Sequence, residues 1–393
     1  MATFNLTTAS NLFKRKYLKI SDNTYNSANV ATARIKKDHG FVGNNLYQAV
    51  PLSFSGGVGS GSLPTAGVAN YQQAVISAKK VYSVVLVDRE TIKAAATDEG
   101  AFVRTLREVV RKGVESFARN DSRIFYGNGD GSLGTQASVT GTYTSTFAAG
   151  YNEANFEERD LVNIETSNTD PFLVDTVAPQ SDGTLDVTVT LQSGSQVPAG
   201  TDEWFMQNSE DNDPLGLQFV CDATSSTLYS VSVARRWQAN QQAETTGLTV
   251  DMMNESMLEV ERKCGKAPRF ITTSYTQYRK LLNLLEDQKE YHIPPRYVSD
   301  TLKGKLSFSG IQFMSTRGAI GVFPDRFCPP NRMYFLNDNY ITRYHRPDFG
   351  WFDDDGTVFL REASADSYSA RYGGYYQNYI IPTFQGVITG LTL

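Results

Sequence analysis

The sequence predicts a mixed α+β protein in which one long amphipathic helix is set among many strands. Three observations predict it. A β-branched and apolar run spans residues 71–87, an apolar stripe at helical spacing follows as far as Phe125, and residues 136–246 are β-rich with frequent turn signals. With 393 residues, 40% of them hydrophobic and 20% charged, the chain can bury a core and form two or three modules.

Residues 1–45 are polar and irregular, and residues 1–50 carry Lys14, Arg15, Lys16, Lys19, Arg34, Lys36 and Lys37 against Asp22 and Asp38. A segment with so little apolar periodicity reads as an extended arm that becomes ordered on a partner. Residues 46–54, the glycine-rich stretch 55–67 and the strand run 71–87 then form a long hairpin with a flexible tip. A two-stranded hairpin is marginal in water, so this one either lies against a neighbouring subunit or is a disordered surface loop.

Thr97 can cap a helix, and Asp98 and Glu99 oppose the positive end of its dipole. Apolar side chains recur at Phe102, Val103, Leu106, Val109, Val110, Val114, Phe117, Ile124 and Phe125, with Arg119 and Arg123 near the negative end and Gly127 as a stop. At about 1.5 Å per residue the helix over 98–125 is roughly 40 Å long.

Gly129, Gly131 and Gly134 match the G-x-G-x-x-G dinucleotide pattern, but they follow a helix and no helix start succeeds them, so a helix stop with a tight turn is expected. Residues 136–234 hold Arg159 as their only basic residue against fifteen acidic ones, which marks 136–246 as an acidic inserted β module. Set against the basic N-terminus, this asymmetry fits an assembly in which the arm meets neighbours or nucleic acid. A merely solvated surface explains it equally.

A helix is expected from Leu248 to Gly265, a strand over 269–273 and a second helix over 275–285. Short strands follow at 308–314, 332–336, 340–344 and 357–360, before an aromatic-rich end over 368–393. Asp353, Asp355, Gly356 and Glu362 have calcium-loop spacing, but Trp351 holds the first ligand position, so a turn between strands is expected and no metal. Cys221, Cys264 and Cys328 lack metal-ligand spacing and read as reduced thiols of a cytoplasmic compartment. Residues 1–30 lack an apolar signal core and no stretch is long enough to cross a bilayer, so neither export nor membrane insertion is expected. His39, His292 and His345 stand apart from any nucleophile motif and read as surface histidines, so no catalytic residue and no cofactor are expected. Tyr344, Tyr372, Tyr375, Tyr376 and Tyr379 suit interface packing better than base stacking, because acids outnumber the nearby arginines.

Taken together, the run from Ala78 to Val87, the helix over 98–125 and the turn from Tyr126 to Gly131 resemble the extended loop and spine helix of tailed-bacteriophage major capsid proteins. The likeness continues over 212–217, 227–232 and 250–274, and in 306–313, 328–337 and 386–391. It implies the fold named after bacteriophage Hong Kong 97: an N-arm (1–45), an extended loop (46–87), and a peripheral domain with its spine helix (88–135). The acidic module (136–246) would interrupt that domain, which resumes over 247–292. An axial domain (293–338) and C-terminal strands (339–393) complete the chain.

What the resemblance implies for function is a shell subunit that assembles with itself as pentamers and hexamers around double-stranded DNA, held without sequence preference. Intersubunit contacts would fall on Gly56, Gly57, Leu63, Pro64, Lys79 and Lys80 of the loop, and spine-helix packing on Phe102, Leu106, Val110 and Phe117. No cross-link through Lys79 or Lys80 is expected. The sequence lacks a long charged leader, so a separate scaffolding protein is implied, with a portal protein and, on the outward-facing acidic module, a decoration protein as further partners. Such a protein is assembled in the host cytoplasm, resides in the virion, and has no membrane partner. Two readings from other classes stay open. One is a phage tail or surface protein whose β module binds carbohydrate through Trp204 and Phe205; the other is an enzyme whose groups converge only in space.

Overall fold

A computed structural model describes residues 31–41, 43–53, 70–89, 99–164, 170–222, 226–284, 311–315, 318–346, 348–353, 356–362 and 366–393. Strands β1 (Lys36–Asp38), β2 (Asn45–Ser53), β3 (Asn70–Ser77) and β4 (Lys79–Asp88) lead to helix α1 (Glu99–Tyr126). Next come β5 (Ser132–Val139), β6 (Thr144–Phe147), β7 (Leu161–Ile164), β8 (Pro171–Pro179), β9 (Leu185–Leu191) and β10 (Glu203–Met206). Helix α2 (Leu217–Cys221), β11 (Thr227–Leu228), β12 (Val231–Ser232) and β13 (Asn240–Ala243) precede α3 (Val250–Cys264), β14 (Phe270–Thr273) and α4 (Tyr275–Leu284). The chain closes with β15 (Ile311–Ser315), β16 (Gly318–Pro324), β17 (Met333–Leu336), β18 (Ile341–His345), β19 (Gly350–Trp351), β20 (Leu360–Arg361), β21 (Ser367–Ile380) and β22 (Gly386–Thr389).

Local signals explain several of these elements. Helix α3 starts where the Thr249 hydroxyl accepts the Met252 amide at 3.2 Å, and stops at Gly265, whose φ of +72° suits a residue without Cβ. Helix α1 runs to Tyr126, one residue beyond expectation, and Phe117 and Ile124 of its stripe are buried. The side chains of Phe102, Leu106 and Val110, like the Thr97 cap, lie outside the described residues. Between β19 and β20 the Gly356 amide donates to the Asp353 carbonyl at 2.8 Å, as expected of a turn.

Three β assemblies carry the fold. In the first sheet, β21 is the long central strand: it pairs with β4 and with β18, β19 and β20, and β18 pairs in parallel with β1. Helix α1 lies on this sheet through Val114, Phe117 and Ile124 against Val81, Tyr372 and Tyr376. The second sheet has the order β13-β22-β17-β14-β16-β15 and carries α3 and α4, with Met253, Met257 and Leu281 against Ile271, Val322, Phe335 and Ile388. The third assembly, β10-β5-β6-β9-β8-β7, is a closed barrel around Phe147, Phe156, Phe172 and Trp204.

Four sequence expectations differ from this architecture, and one strand was not expected. The run 71–87 is two strands that part at Ala78: β3 stays with β2, whereas β4 crosses to β21 in register from Lys79↔Tyr376 to Asp88↔Ser367. No Gly or Pro marks the parting, because the partner that causes it lies at the far end of the chain. The arm expected to order only on a partner is docked from Ala31: Ala31 and Thr32 are buried, the Ala31 and Phe327 amides both serve the Asp325 carboxylate, and β1 joins β18. The inserted β module is the barrel of residues 132–206 rather than 136–246. Beyond Met206, Leu217, Val220, Leu228, Val231 and Trp237 enter the core shared with Phe125 and Ile380. The α3-β14-α4 unit, expected to continue the domain of the long helix, packs instead on the sheet of β15, β16 and β17. Strand β16 was hidden by its own glycines, Gly318 and Gly321.

Candidate assembly surfaces

The β2–β3 hairpin has two unlike faces. One is apolar and turned inward: Val50, Leu52, Ala74 and Ile76 are buried in the core. The Val75 amide donates to the Tyr229 carbonyl at 2.9 Å, and Ser232 donates to Gln72 at 2.8 Å. The base of the hairpin is therefore covered by its own chain, not by a neighbour. The other face shows Tyr47 and Tyr71, 54% and 57% exposed. The tip residues Gly56, Gly57, Leu63 and Pro64 lie outside the described residues.

Lys79 and Lys80 are not on the hairpin but on β4. The Lys79 ammonium donates to the Asp211 carbonyl at 2.7 Å, and Lys80 stands 5.7 Å from the Tyr375 ring centre. Beyond them the alternation of β4 turns Val81 and Val85 toward the core and leaves Tyr82, Val84 and Leu86 outside, the last 62% exposed. With Phe352, Val358 and Tyr375, Tyr82 and Val84 border an open cavity of about 560 Å³ that also holds Arg371 and Glu362. Burial, then the neighbouring Tyr375 hydroxyl, pushes the Tyr82 phenol up to about 12. Exposed apolar surface of this kind is where association surfaces occur. In the sequence this surface lies within the β-branched and apolar run 81–87.

Helix α1 is fixed by ion pairs along its C-terminal half. Asp121, fully buried, accepts from Arg343 at 2.9 Å and from the Tyr376 hydroxyl, while Arg343 Nε donates to Asn378 at 2.8 Å. This ties the helix to β18 and β21. Arg119 bonds Glu157 at 2.7 Å and Asp160 at 2.5 Å, and Arg123 bonds Asp213 at 2.7 Å, which in turn accepts from Ser209. The sequence places Arg119 and Arg123 only against the helix dipole; they also clamp the barrel and its return segment to the helix. Burial raises the Asp160 carboxyl in spite of Arg119.

The glycines after α1 serve this junction. Gly129 and Gly131 have φ of +96° and +86°, and a Cβ on Gly216 would collide with the carbonyl oxygens of Ile124, Phe125 and Gly127. They let the 213–217 segment approach the end of the helix, as a turn and not as a phosphate cradle.

In the barrel, Trp204 and Phe205 are buried, and Trp204 Nε1 donates to Gln136 at 3.1 Å. A carbohydrate site built on these two aromatics requires them at the surface, and that support is removed. The barrel's eleven carboxylates face a single basic residue of its own, Arg159.

His345, expected at the surface, is fully buried between Phe349 and Tyr376, and neither ring nitrogen has a hydrogen-bond partner among the described residues. Burial, then the Arg343 charge, lowers its pKa to about 3. The strand alternation that buries Ile341, Arg343 and His345 together was the missed signal. Cys221, Cys264 and Cys328 are free thiols, and burial pushes Cys221 up to about 12. Among the described residues no three His, Cys, Asp or Glu side chains gather as a metal site, and no helix is long and apolar enough to cross a membrane.

Comparison with known proteins follows from the fold. The capsid asymmetric unit of cyanophage A-1(L) superposes over 92% of this chain and 91% of its own, at 12% identity and a TM-score of 0.54. This is the Hong Kong 97-type capsid fold. The SrpI encapsulin of Synechococcus elongatus matches over 92% of this chain and 87% of its own at 10% identity and TM-score 0.48. The virus-like particle of Pyrococcus furiosus matches over 96% and 99% at 8% identity and TM-score 0.44. No family model and no curated protein matches the sequence.

Proposed function

We propose that the chain is the major capsid protein of a tailed bacteriophage, forming the pentamers and hexamers of an icosahedral shell around double-stranded DNA. The observation that carries this reading is the capsid fold shared over nine-tenths of both chains with the cyanophage A-1(L) subunit. Its role is structural and requires no cofactor or catalysis. In this reading α1 is the spine helix and the β2–β3 hairpin the extended loop. The peripheral domain comprises α1 and the β21-centred sheet; the axial domain comprises the sheet of β15, β16 and β17 with α3 and α4.

Gly56, Gly57, Leu63 and Pro64 then reach a neighbouring subunit from the hairpin tip, and Lys79 and Lys80 act from the start of β4. Phe102, Leu106, Val110 and Phe117 seat the spine helix. The acidic barrel faces outward, away from the packaged genome, where a decoration protein can dock. Assembly draws on a separate scaffolding protein and a portal protein, in the host cytoplasm, and the product resides in the virion.

Deleting residues 56–67 tests the loop's part. The variant is expected to fold as a protomer, by circular dichroism and thermal melting, yet to form no closed particles by electron microscopy. Particles of normal size would overturn the loop's assigned role.

A further inference from the structure

One surface of the body collects positive charge from separate stretches of chain. The Arg34 guanidinium lies over Phe270 and Phe323, 5.0 and 4.4 Å from their ring centres. Arg269 pairs with Asp338 at 3.0 Å, and Asp338 also faces Arg34. Lys266 stands over Tyr340 and Phe384, whose rings stack at 3.6 Å with 6° between their planes. Next to Phe384, the Thr383 hydroxyl donates to the Arg236 carbonyl, and Arg235 faces Lys263 at the end of α3. Across this surface these contacts link Arg34, Arg269 and Lys266, and bring the Arg235–Arg236 stretch beside Thr383 and Lys263.

Its charge is not balanced locally. Adding Arg262, which pairs with Glu259 at 2.6 Å, seven cations meet three carboxylates, Glu259, Glu261 and Asp338. Arg34, Arg235, Arg236, Lys266 and Arg269 are exposed. The barrel, by contrast, would repel a polyanion. Fixed guanidinium and ammonium groups along an exposed surface suit a phosphate backbone and carry no means of reading base sequence.

We propose that this patch is where the subunit holds the phosphate backbone of duplex DNA without sequence preference. The proposal rests on the shell reading and names the surface that meets the genome.

The test uses the full chain with Arg235→Gln, Arg236→Gln and Lys266→Gln combined, and a short fluorescent duplex of random sequence titrated at several salt concentrations. The wild type is expected to bind with an affinity that falls steeply with salt. The triple variant should bind at least about 10-fold more weakly at low salt, with a log–log slope smaller by about 0.9 for each phosphate that is no longer neutralised. A companion variant, Arg235→Lys with Arg236→Lys, should keep the wild-type slope, which separates loss of charge from loss of fold. Unchanged affinity and slope in the triple variant would overturn the proposal. So would normal DNA binding with failed particle assembly, the result expected if the patch instead meets the acidic barrel of a second copy. Electron microscopy of the same preparations reports on the shell reading independently: loss of DNA binding in a protein that never forms particles upholds the patch and overturns the shell.

Discussion

The barrel of residues 132–206 and the sheet centred on β21 both close β structure over an apolar core, and they use the chain in opposite ways. The barrel's six strands are consecutive, and its core is drawn from the same stretch. The β21 sheet joins β1 and β4 from the N-terminal side to strands near the C-terminal end, and its helix is held there by Asp121, which reaches Arg343 and Tyr376 far along the chain. The barrel is thus a local unit, whereas the body exists only when β1 and β4 meet β18 and β21. Arg119, which holds Glu157 and Asp160, is where the two regions are bolted together.

The sharpest way to break this contrast is Asp121→Ala. It leaves Arg343 charged and buried without its carboxylate, so the body should lose about 3–5 kcal/mol, read as a shift in the urea midpoint. The barrel should respond on its own scale. Trp204→Phe keeps a ring in the core but strands the Gln136 carbonyl oxygen, and about 1–3 kcal/mol should be lost, with the hydrogen-exchange protection of the β21 sheet unchanged. Equal loss of protection in both regions would erase the distinction.

The smallest effect at neutral pH concerns His345. Its pKa is lowered to about 3 by burial, then by Arg343, Lys37 and His39, against the opposing pull of Asp348. Its unfolded counterpart titrates near the usual 6.5, so the unfolded state binds more protons between these values. The stability linked to the neutral ring is complete above pH 6.5 and is lost as pH falls toward 3. His345→Phe should therefore flatten the acid limb of body stability, seen by comparing urea midpoints at neutral pH and at about pH 4.5. An acid limb identical to the wild type would contradict the burial.

Much of this contrast was legible in the sequence, for physical reasons that differ by element. Helices α1, α3 and α4 announce themselves by apolar periodicity, and α1 and α3 also by Gly127 and Gly265 as stops, because these signals act within a few residues. The barrel's content was legible but its end was not. The acidic composition continues through Asp213 and Asp222, and only the fold reveals that these pair with Arg123 and Arg332 in the body. The departure of β4 from the hairpin, the docking of Ala31 and the burial of His345 each depend on partners well beyond the reach of local pattern: β21, Asp325 and Tyr376. Which of the exposed surfaces would meet another subunit was suggested only by the family resemblance. Their apolar stripe on β4 reads in sequence as an ordinary strand.

Whether this fold builds a shell is read directly by electron microscopy of the chain expressed with and without a scaffolding protein. A shell-building subunit gives uniform icosahedral particles, or rings of five and six subunits. A monomer or small symmetric oligomer under every condition would contradict it.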